Sequence, residues 1–437
     1  MPLMSRAPRC ARWPLSIVCL WFGAIAAAQS PHSLVTPPNS LVQSPPALRE
    51  AIVAVWARNP ALHASDAQLA AAQARAQGAA RPLYNPELEI SSERADVDTR
   101  SVGLSQTIDW SGKRRARVGV ADAGIRSAQA LRDQIRQDVA QQWFAGYAAF
   151  QVATEQVALG AERTRLLAQF AALAERRFVA GDIPSLERDL AELALQEARA
   201  QQAELIADHA KARQSVAAVG GDTTTLPALP RDLPPAAELP VTDAALEALP
   251  VIRQAQAAAD GAQASITVAQ RERRADPTLS LTTGRVTDGP LRDNLVGVAL
   301  RIPLLVRNTH STGVTAARAE AEQADAELTD QRWRARAQAN EAGAAYNALR
   351  EAWLAWEGSR VRHVSDRAAL LQRLWEAGEL STADYLVQLK QSVDTELTAT
   401  GLRARVWQTW AEWLYASGGL AAWLGATDAP TSDKEFR

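Results

Sequence analysis

Two stretches of this sequence, Lys113 to Phe178 and Gly313 to Trp375, contain no proline and little glycine. Apolar residues in the first recur at helical spacing as Val139, Trp143, Ala145, Tyr147, Phe150 and Val157, with Arg, Gln and Glu between them. At about 1.5 Å per residue, each stretch predicts a helix on the order of 95 Å long. Helices in globular domains typically run about 10–14 residues, so two or three ordinary compact domains are a poor description of these 437 residues. The surface such helices present is that of a long coiled coil. A few turn residues follow each stretch, then further helical sequence at 184–219 and 382–416, which predicts two antiparallel hairpins.

The chain is a duplication. Asn59-Pro60 corresponds to Leu249-Pro250, Asn85-Pro86-Glu87-Leu88 to Asp276-Pro277-Thr278-Leu279, and Val102-Gly103-Leu104 to Val296-Gly297-Val298. The series continues with Gly119-Val120 and Gly313-Val314, Ala180-Gly181 and Ala377-Gly378, and Gly220-Gly221 and Gly418-Gly419. The offset grows slowly in one direction, as small insertions produce, and an ordered series of this kind signals an internal repeat. The first repeat is expected at 48–225 and the second at 243–420, with a Pro-rich linker at 226–242 and a tail at 421–437. Residues 48–80 and 243–274 open the two repeats as helical sequence, ending near Pro82 and Pro277.

Between the opening helix and the long helix of each repeat the periodicity changes to two. Val102, Leu104, Ile108 and Trp110 alternate with Gly103, Ser105, Thr107 and Asp109; Val296, Val298, Leu300 and Ile302 alternate with Gly297, Ala299 and Arg301. Leu88/Ile90 and Leu279/Leu281 begin similar runs. Four strands are expected, at about 86–94, 100–110, 277–286 and 293–302. Nine or ten residues is about the length of a tilted strand crossing a bilayer, although Gln106 interrupts one apolar face. The fold class is therefore mainly α with a small β part.

Four strands cannot close a barrel, and an open edge cannot face lipid because its backbone groups go unpaired. If this sheet enters a membrane, the chain needs identical partners. Three copies would supply twelve strands, enough for a water-filled pore. A β-hairpin layer capping a soluble helical rod is the alternative.

The N-terminus reads as an export signal at 1–28. Arg6, Arg9 and Arg12 precede an apolar run from Trp13 to Ile25, and Ala26-Ala27-Ala28-Gln29 is a small-residue cleavage pattern. Residues 29–47 are rich in Pro and Ser and predict an extended segment. Both cysteines, Cys10 and Cys19, lie inside the signal, which excludes a disulfide scaffold and a cysteine metal site. The overall charge of −2 offers no footprint for nucleic acid.

With these features in hand, the chain resembles the TolC-like outer membrane factor family over roughly residues 45–420. The resemblance rests on the two-fold repeat, the Asn-Pro openings, and the duplicated turn Arg177-Phe178-Val179-Ala180-Gly181-Asp182-Ile183-Pro184-Ser185-Leu186-Glu187, echoed by Leu374-Trp375-Glu376-Ala377-Gly378-Glu379-Leu380-Ser381-Thr382-Ala383-Asp384. The stretch Ser105 to Arg115, around Gly112-Lys113-Arg114, is most similar to the branch serving heavy-metal cation pumps of the resistance-nodulation-division type. The resemblance implies a homotrimer with a 12-stranded outer membrane β-barrel and a periplasmic α-helical tunnel. It also implies two partners, a periplasmic adaptor protein and an inner-membrane pump, and hence a passive exit duct in a tripartite efflux system. Heavy-metal cations are the expected cargo; the alternatives are the same duct for drugs or secreted polypeptides, or a periplasmic coiled-coil scaffold without a pore.

Several residues carry expectations. Gly181 and Gly378 sit where a long helix reverses, a role glycine fills by accepting positive φ. By resemblance, the hairpin tips, with Gly181, Asp182, Ser185, Gly378, Glu379 and Thr382, meet the adaptor. By the same resemblance, Asp384 and Glu187, each six residues after its glycine, are expected at the periplasmic aperture, where three copies of Asp384 would form a carboxylate ring favouring cations. Ser381 and Asp384 also have helix-capping spacing. Pro184 fits the first turn of a helix. Trp110 is expected in an interfacial aromatic belt or in a packed core. Trp407, Trp410 and Trp413 recur every three residues and predict a packed helix face. His32, His63, His209, His310 and His363 are scattered without ligand spacing, so no metal site and no cofactor are expected. No phosphate loop, nucleophile elbow or metalloprotease helix motif is present, and no enzymatic activity is expected.

Overall fold

The computed structural model describes residues 44–224, 226, 228–230, 232–358 and 364–424. The expected export signal at 1–28, most of the extended segment and nearly all of the tail lie outside the described residues. In the first half the chain runs α1 (Pro46–Arg58), α2 (Pro60–Ala79), β1 (Glu87–Glu93), β2 (Asp98–Thr107), α3 (Lys113–Ala180) and α4 (Ser185–Ala218). In the second half it runs α5 (Asp243–Glu247), α6 (Pro250–Glu272), β3 (Thr278–Asp288), β4 (Leu291–Arg301), α7 (Ser311–Gly358), α8 (Val364–Glu376), α9 (Thr382–Ser417) and α10 (Leu420–Trp423). Helix α3 has 68 residues, roughly 100 Å at the usual rise.

The opening helical sequence of each repeat is divided in two, where the periodicity alone predicts one helix. The break falls at Asn59-Pro60 and at Leu249-Pro250, with the proline in the first turn of the new helix. Proline lacks the N–H a helix interior needs but is tolerated at a helix start. Asn59 caps α2 by accepting from the Ala61 N–H at 2.9 Å and donates its side-chain amide to the Val219 carbonyl at 3.1 Å.

The four strands form one antiparallel sheet in the order β1-β2-β3-β4. The central pairing, β2 with β3, joins the two halves of the sequence, with Leu104 opposite Leu281 and Gly103 opposite Thr282. Strand β2 stops at Thr107, short of the expected Trp110. There the Ile108 N–H turns to the Pro277 carbonyl (2.9 Å), the Trp110 N–H folds back on Ile108 (3.0 Å), and Gly112 takes φ +76° to enter α3.

Aromatic residues hold the helices together at mid-length. Trp143, Phe144 and Tyr147 of α3 are fully buried against Trp407 and Trp410 of α9 and Trp423 of α10. Phe144 meets Trp423 edge-on at 5.4 Å between ring centroids. The tryptophans spaced by three thus pack a helix face: Trp413 stacks on Tyr346 at 6.4 Å, and Trp407 and Trp410 fill the core. A second core lies toward the hairpin ends, where Phe170 stacks on Tyr385 at 4.2 Å with Trp375 beside them.

The Pro-rich segment after residue 226 is bound along α7. Asn347 accepts from the Ala237 N–H (2.7 Å) and donates to its carbonyl (3.0 Å), while Tyr346 and Arg350 both donate to the Pro234 carbonyl. An extended stretch with several prolines cannot satisfy its own backbone groups, so side chains of α7 do so.

Candidate functional site

The sheet has two unlike faces. Leu88, Leu104, Leu281 and Val298 sit side by side in register, and Ile90, Val102 and Val296 continue the same face. These side chains are 46–73% exposed. A contiguous apolar face on the outside of a sheet calls for an apolar environment. The opposite face carries Glu87, Glu89 and Ser91 of β1, with Ser101, Gly103 and Ser105 of β2 and Ser280 and Thr282 of β3. Edges β1 and β4 pair with nothing further among the described residues. No described helix is long and apolar enough to cross a membrane.

Where the sheet meets the helices, a buried polar cluster ties the repeats together. Asp276 lies 2.9 Å from the Lys113 ammonium and accepts from the Tyr84 hydroxyl at 2.8 Å, with the Ser111 hydroxyl at 3.4 Å. Burial, then Asp276, pushes the Tyr84 phenol up to about 12. Asp109 accepts from the Lys113 and Arg114 N–H groups at 2.8 Å each, and so caps α3. Burial raises the Asp109 carboxyl, but the backbone N–H groups of Arg114, Lys113 and Gly112 outweigh it and hold the group below the usual carboxylate range. Trp110 is 66% exposed, and its indole N–H donates to the Ala275 carbonyl at 2.7 Å. The core-packing alternative for Trp110 therefore does not hold within the chain. Sequence reasoning missed Asp276, Lys113 and Tyr84 as a group, because their meeting depends on the pairing of β2 with β3.

At the far end the two reversals are built alike. Gly181 has φ +81° and Gly378 has φ +77°. The N–H of Gly181 reaches Phe178 O and that of Asp182 reaches Arg177 O; Gly378 and Glu379 repeat this on Trp375 and Leu374. Both are Schellman closures, which satisfy carbonyls the helix end leaves free. Pro184 occupies the N-cap position of α4 itself rather than its first turn.

Of the expected tip residues, Gly181, Asp182, Ser185, Gly378 and Glu379 are exposed. Thr382 is not: it is 1% exposed, receives the Trp375 indole N–H at 2.9 Å, and donates its hydroxyl to Glu187. An internal role replaces the partner-facing one expected for it, because its side chain is enclosed by the second core. Glu187 is half-buried and engaged by that contact, whereas Asp384 is exposed. The Ser381 hydroxyl donates to the Asp384 carboxylate at 2.7 Å and accepts from the Asp384 N–H at 3.1 Å. Arg177 crosses between the hairpins, its guanidinium 4.4 Å from the Trp375 ring centre and donating to Glu376 O at 2.9 Å.

Residues 51–222 match the model of a family described as outer membrane efflux protein. The cobalt-zinc-cadmium resistance protein CzcC of Cupriavidus metallidurans is 30% identical over 239 residues, 52% of this chain and 56% of that protein. The match thus spans about half the length of this curated relative. Among solved structures, CusC superposes with a TM-score of 0.72 at 16% identity, over 88% of this chain and 96% of CusC. The CmeC outer membrane channel of Campylobacter jejuni superposes with a TM-score of 0.71 at 14% identity, over 86% of each chain. At such identities the superposition establishes the fold.

Proposed function

We propose, for a chain whose residues 51–222 match the outer membrane efflux protein family, the role of a passive exit duct for heavy-metal cations. The observation that carries this reading is the four-stranded sheet with an apolar outer face and, among the described residues, an unpaired edge on each side, set on helices up to 68 residues long. In a membrane both edges must pair. Three copies, each pairing β4 with the next copy's β1, would close a twelve-stranded barrel. The helices would then continue the lumen into the periplasm. The halves at 48–225 and 243–420 act as equivalent walls of this tube.

Metal cations as cargo are supported by the likeness to CzcC, a cobalt-zinc-cadmium resistance protein, and by charge. Glu87 and Glu89 lie on the polar face, which becomes the lumen in a closed barrel. Rings of acidic side chains favour cations. Asp384, exposed at the start of α9, would add a carboxylate ring at the periplasmic aperture, while Glu187 braces the neighbouring hairpin from within. Trp110 would sit at the membrane interface. The exposed tips around Gly181, Asp182, Ser185, Gly378 and Glu379 would receive a periplasmic adaptor carrying cargo from an inner-membrane pump of the resistance-nodulation-division type.

Planar-bilayer recording of the purified protein tests the duct, with a cation-preferring conductance expected from a heat-sensitive trimer. Protein found only in the soluble periplasm, with no conductance, overturns it. A deletion strain should become sensitive to cobalt, zinc or cadmium; sensitivity to drugs or loss of polypeptide secretion instead would reassign the cargo. In Asp384→Ala, cation preference should fall, and an unchanged channel removes Asp384 from the aperture.

A further inference from the structure

The segments that join sheet to helices are strongly basic in a chain that is nearly neutral. Residues 80–86, 108–117, 271–277 and 301–310 contain ten Lys or Arg and three acidic side chains, whereas the whole chain has 47 basic and 49 acidic. All three acids are already engaged. Asp109 caps α3, Asp276 pairs with Lys113, and Glu272 faces Arg117 at 3.7 Å. The surplus includes Arg114, Arg115, Arg273, Arg274, Arg301 and Arg307. Each is exposed, and none has a side-chain hydrogen bond or ion pair among the described residues.

Beside these arginines lie exposed apolar groups. Trp110 is 66% exposed, with its one polar atom turned inward to Ala275; Leu304 is 80% and Val306 81% exposed. They stand just below the apolar rows of the sheet. Free guanidinium groups next to an exposed indole and aliphatic side chains suit a boundary where hydrocarbon ends and phosphate begins.

We propose that this belt is a docking surface for anionic phospholipid headgroups of the leaflet on the helix side of the sheet. The proposal rests on the reading that the sheet is embedded in a bilayer. Guanidinium groups bind phosphate oxygens in pairs of parallel hydrogen bonds, and basic side chains close to a membrane surface are drawn to its anionic lipids. The sheet supplies the anchoring, and the arginines select which lipid surrounds its lower rim.

The test uses the full-length protein reconstituted in phosphatidylcholine vesicles with a trace of spin-labelled lipid. Spin-labelled phosphatidylglycerol should associate with the protein at least about fivefold more strongly than spin-labelled phosphatidylcholine. The preference should disappear in R114Q/R115Q/R273Q/R274Q and should shrink at high salt. The salt arm needs no variant, so it decides the matter even if the quadruple replacement folds poorly. Inorganic phosphate at millimolar concentration should leave the preference unchanged; its abolition would make the belt a free-phosphate site. Equal association of both lipids with a conducting wild-type protein overturns the belt alone. A wild type that neither inserts nor conducts overturns the duct reading instead.

Discussion

Thr382, at the start of the last long helix, donates its hydroxyl hydrogen bond to Glu187, in the first turn of α4 in the other half of the chain. The same hydroxyl receives the Trp375 indole N–H, so one small side chain links three elements at the hairpin ends. Removing it leaves two half-buried or buried polar groups unpaired. Thr382→Val should lower stability by about 1–3 kcal/mol, read as a lower thermal unfolding temperature. If the link restrains the aperture, the variant should also open more often in planar bilayers, and wild-type gating would confine Thr382 to a structural part.

The Lys113–Asp276 pair joins the halves at the opposite end of the helices. Its side chains are 12% and 3% exposed. Breaking one partner of a buried pair leaves an uncompensated charge, so Lys113→Met should cost about 3–5 kcal/mol. Replacing both, as Lys113→Met with Asp276→Leu, should recover much of that loss. Thermal unfolding of wild type and the two variants checks the order, and a double variant worse than the single one would contradict it.

Asp109 carries a pH dependence with a definite sign. Its carboxyl is held below the usual range in the folded chain, so its contribution is present above the ordinary carboxylate value near about 4 and is lost as pH falls through the depressed value. Asp109→Asn should be less stable than wild type by about 1 kcal/mol at pH 6. The two should converge as pH falls through the depressed Asp109 carboxyl value, measured by thermal unfolding across the acid range.

Gly343 allows the Pro-rich segment and α9 to approach α7. A Cβ at this position would lie 2.8 Å from Leu239 Cδ2 and 2.9 Å from Trp413 Cδ1. Trp413 has little room to retreat because it stacks on Tyr346. Gly343→Ala should destabilise the protein by about 1–3 kcal/mol despite its better helix propensity. Unchanged stability would mean that the Trp413 ring is free to shift.

Much of this molecule could be read in one dimension. Helix length follows from the absence of proline in Lys113–Phe178, strand character from the alternation around Val102 and Leu104, and each reversal from a glycine at Gly181 or Gly378, because these are local properties of the backbone. The capping of Asp384 was equally legible, because its partner Ser381 lies only three residues away. Contacts between segments distant in sequence were not. Asp276 with Lys113, Glu187 with Thr382, and the seating of Pro234–Ala237 on α7 each join residues more than 100 positions apart. No periodicity encodes such pairs, since they exist only once β2 has paired with β3 and the hairpins have packed side by side. Tertiary structure also decided that Thr382 is enclosed while Asp384 stays exposed. Two neighbouring polar residues in one helical turn point in different directions, and only the packing of Trp375 and Tyr385 determines which of them meets water.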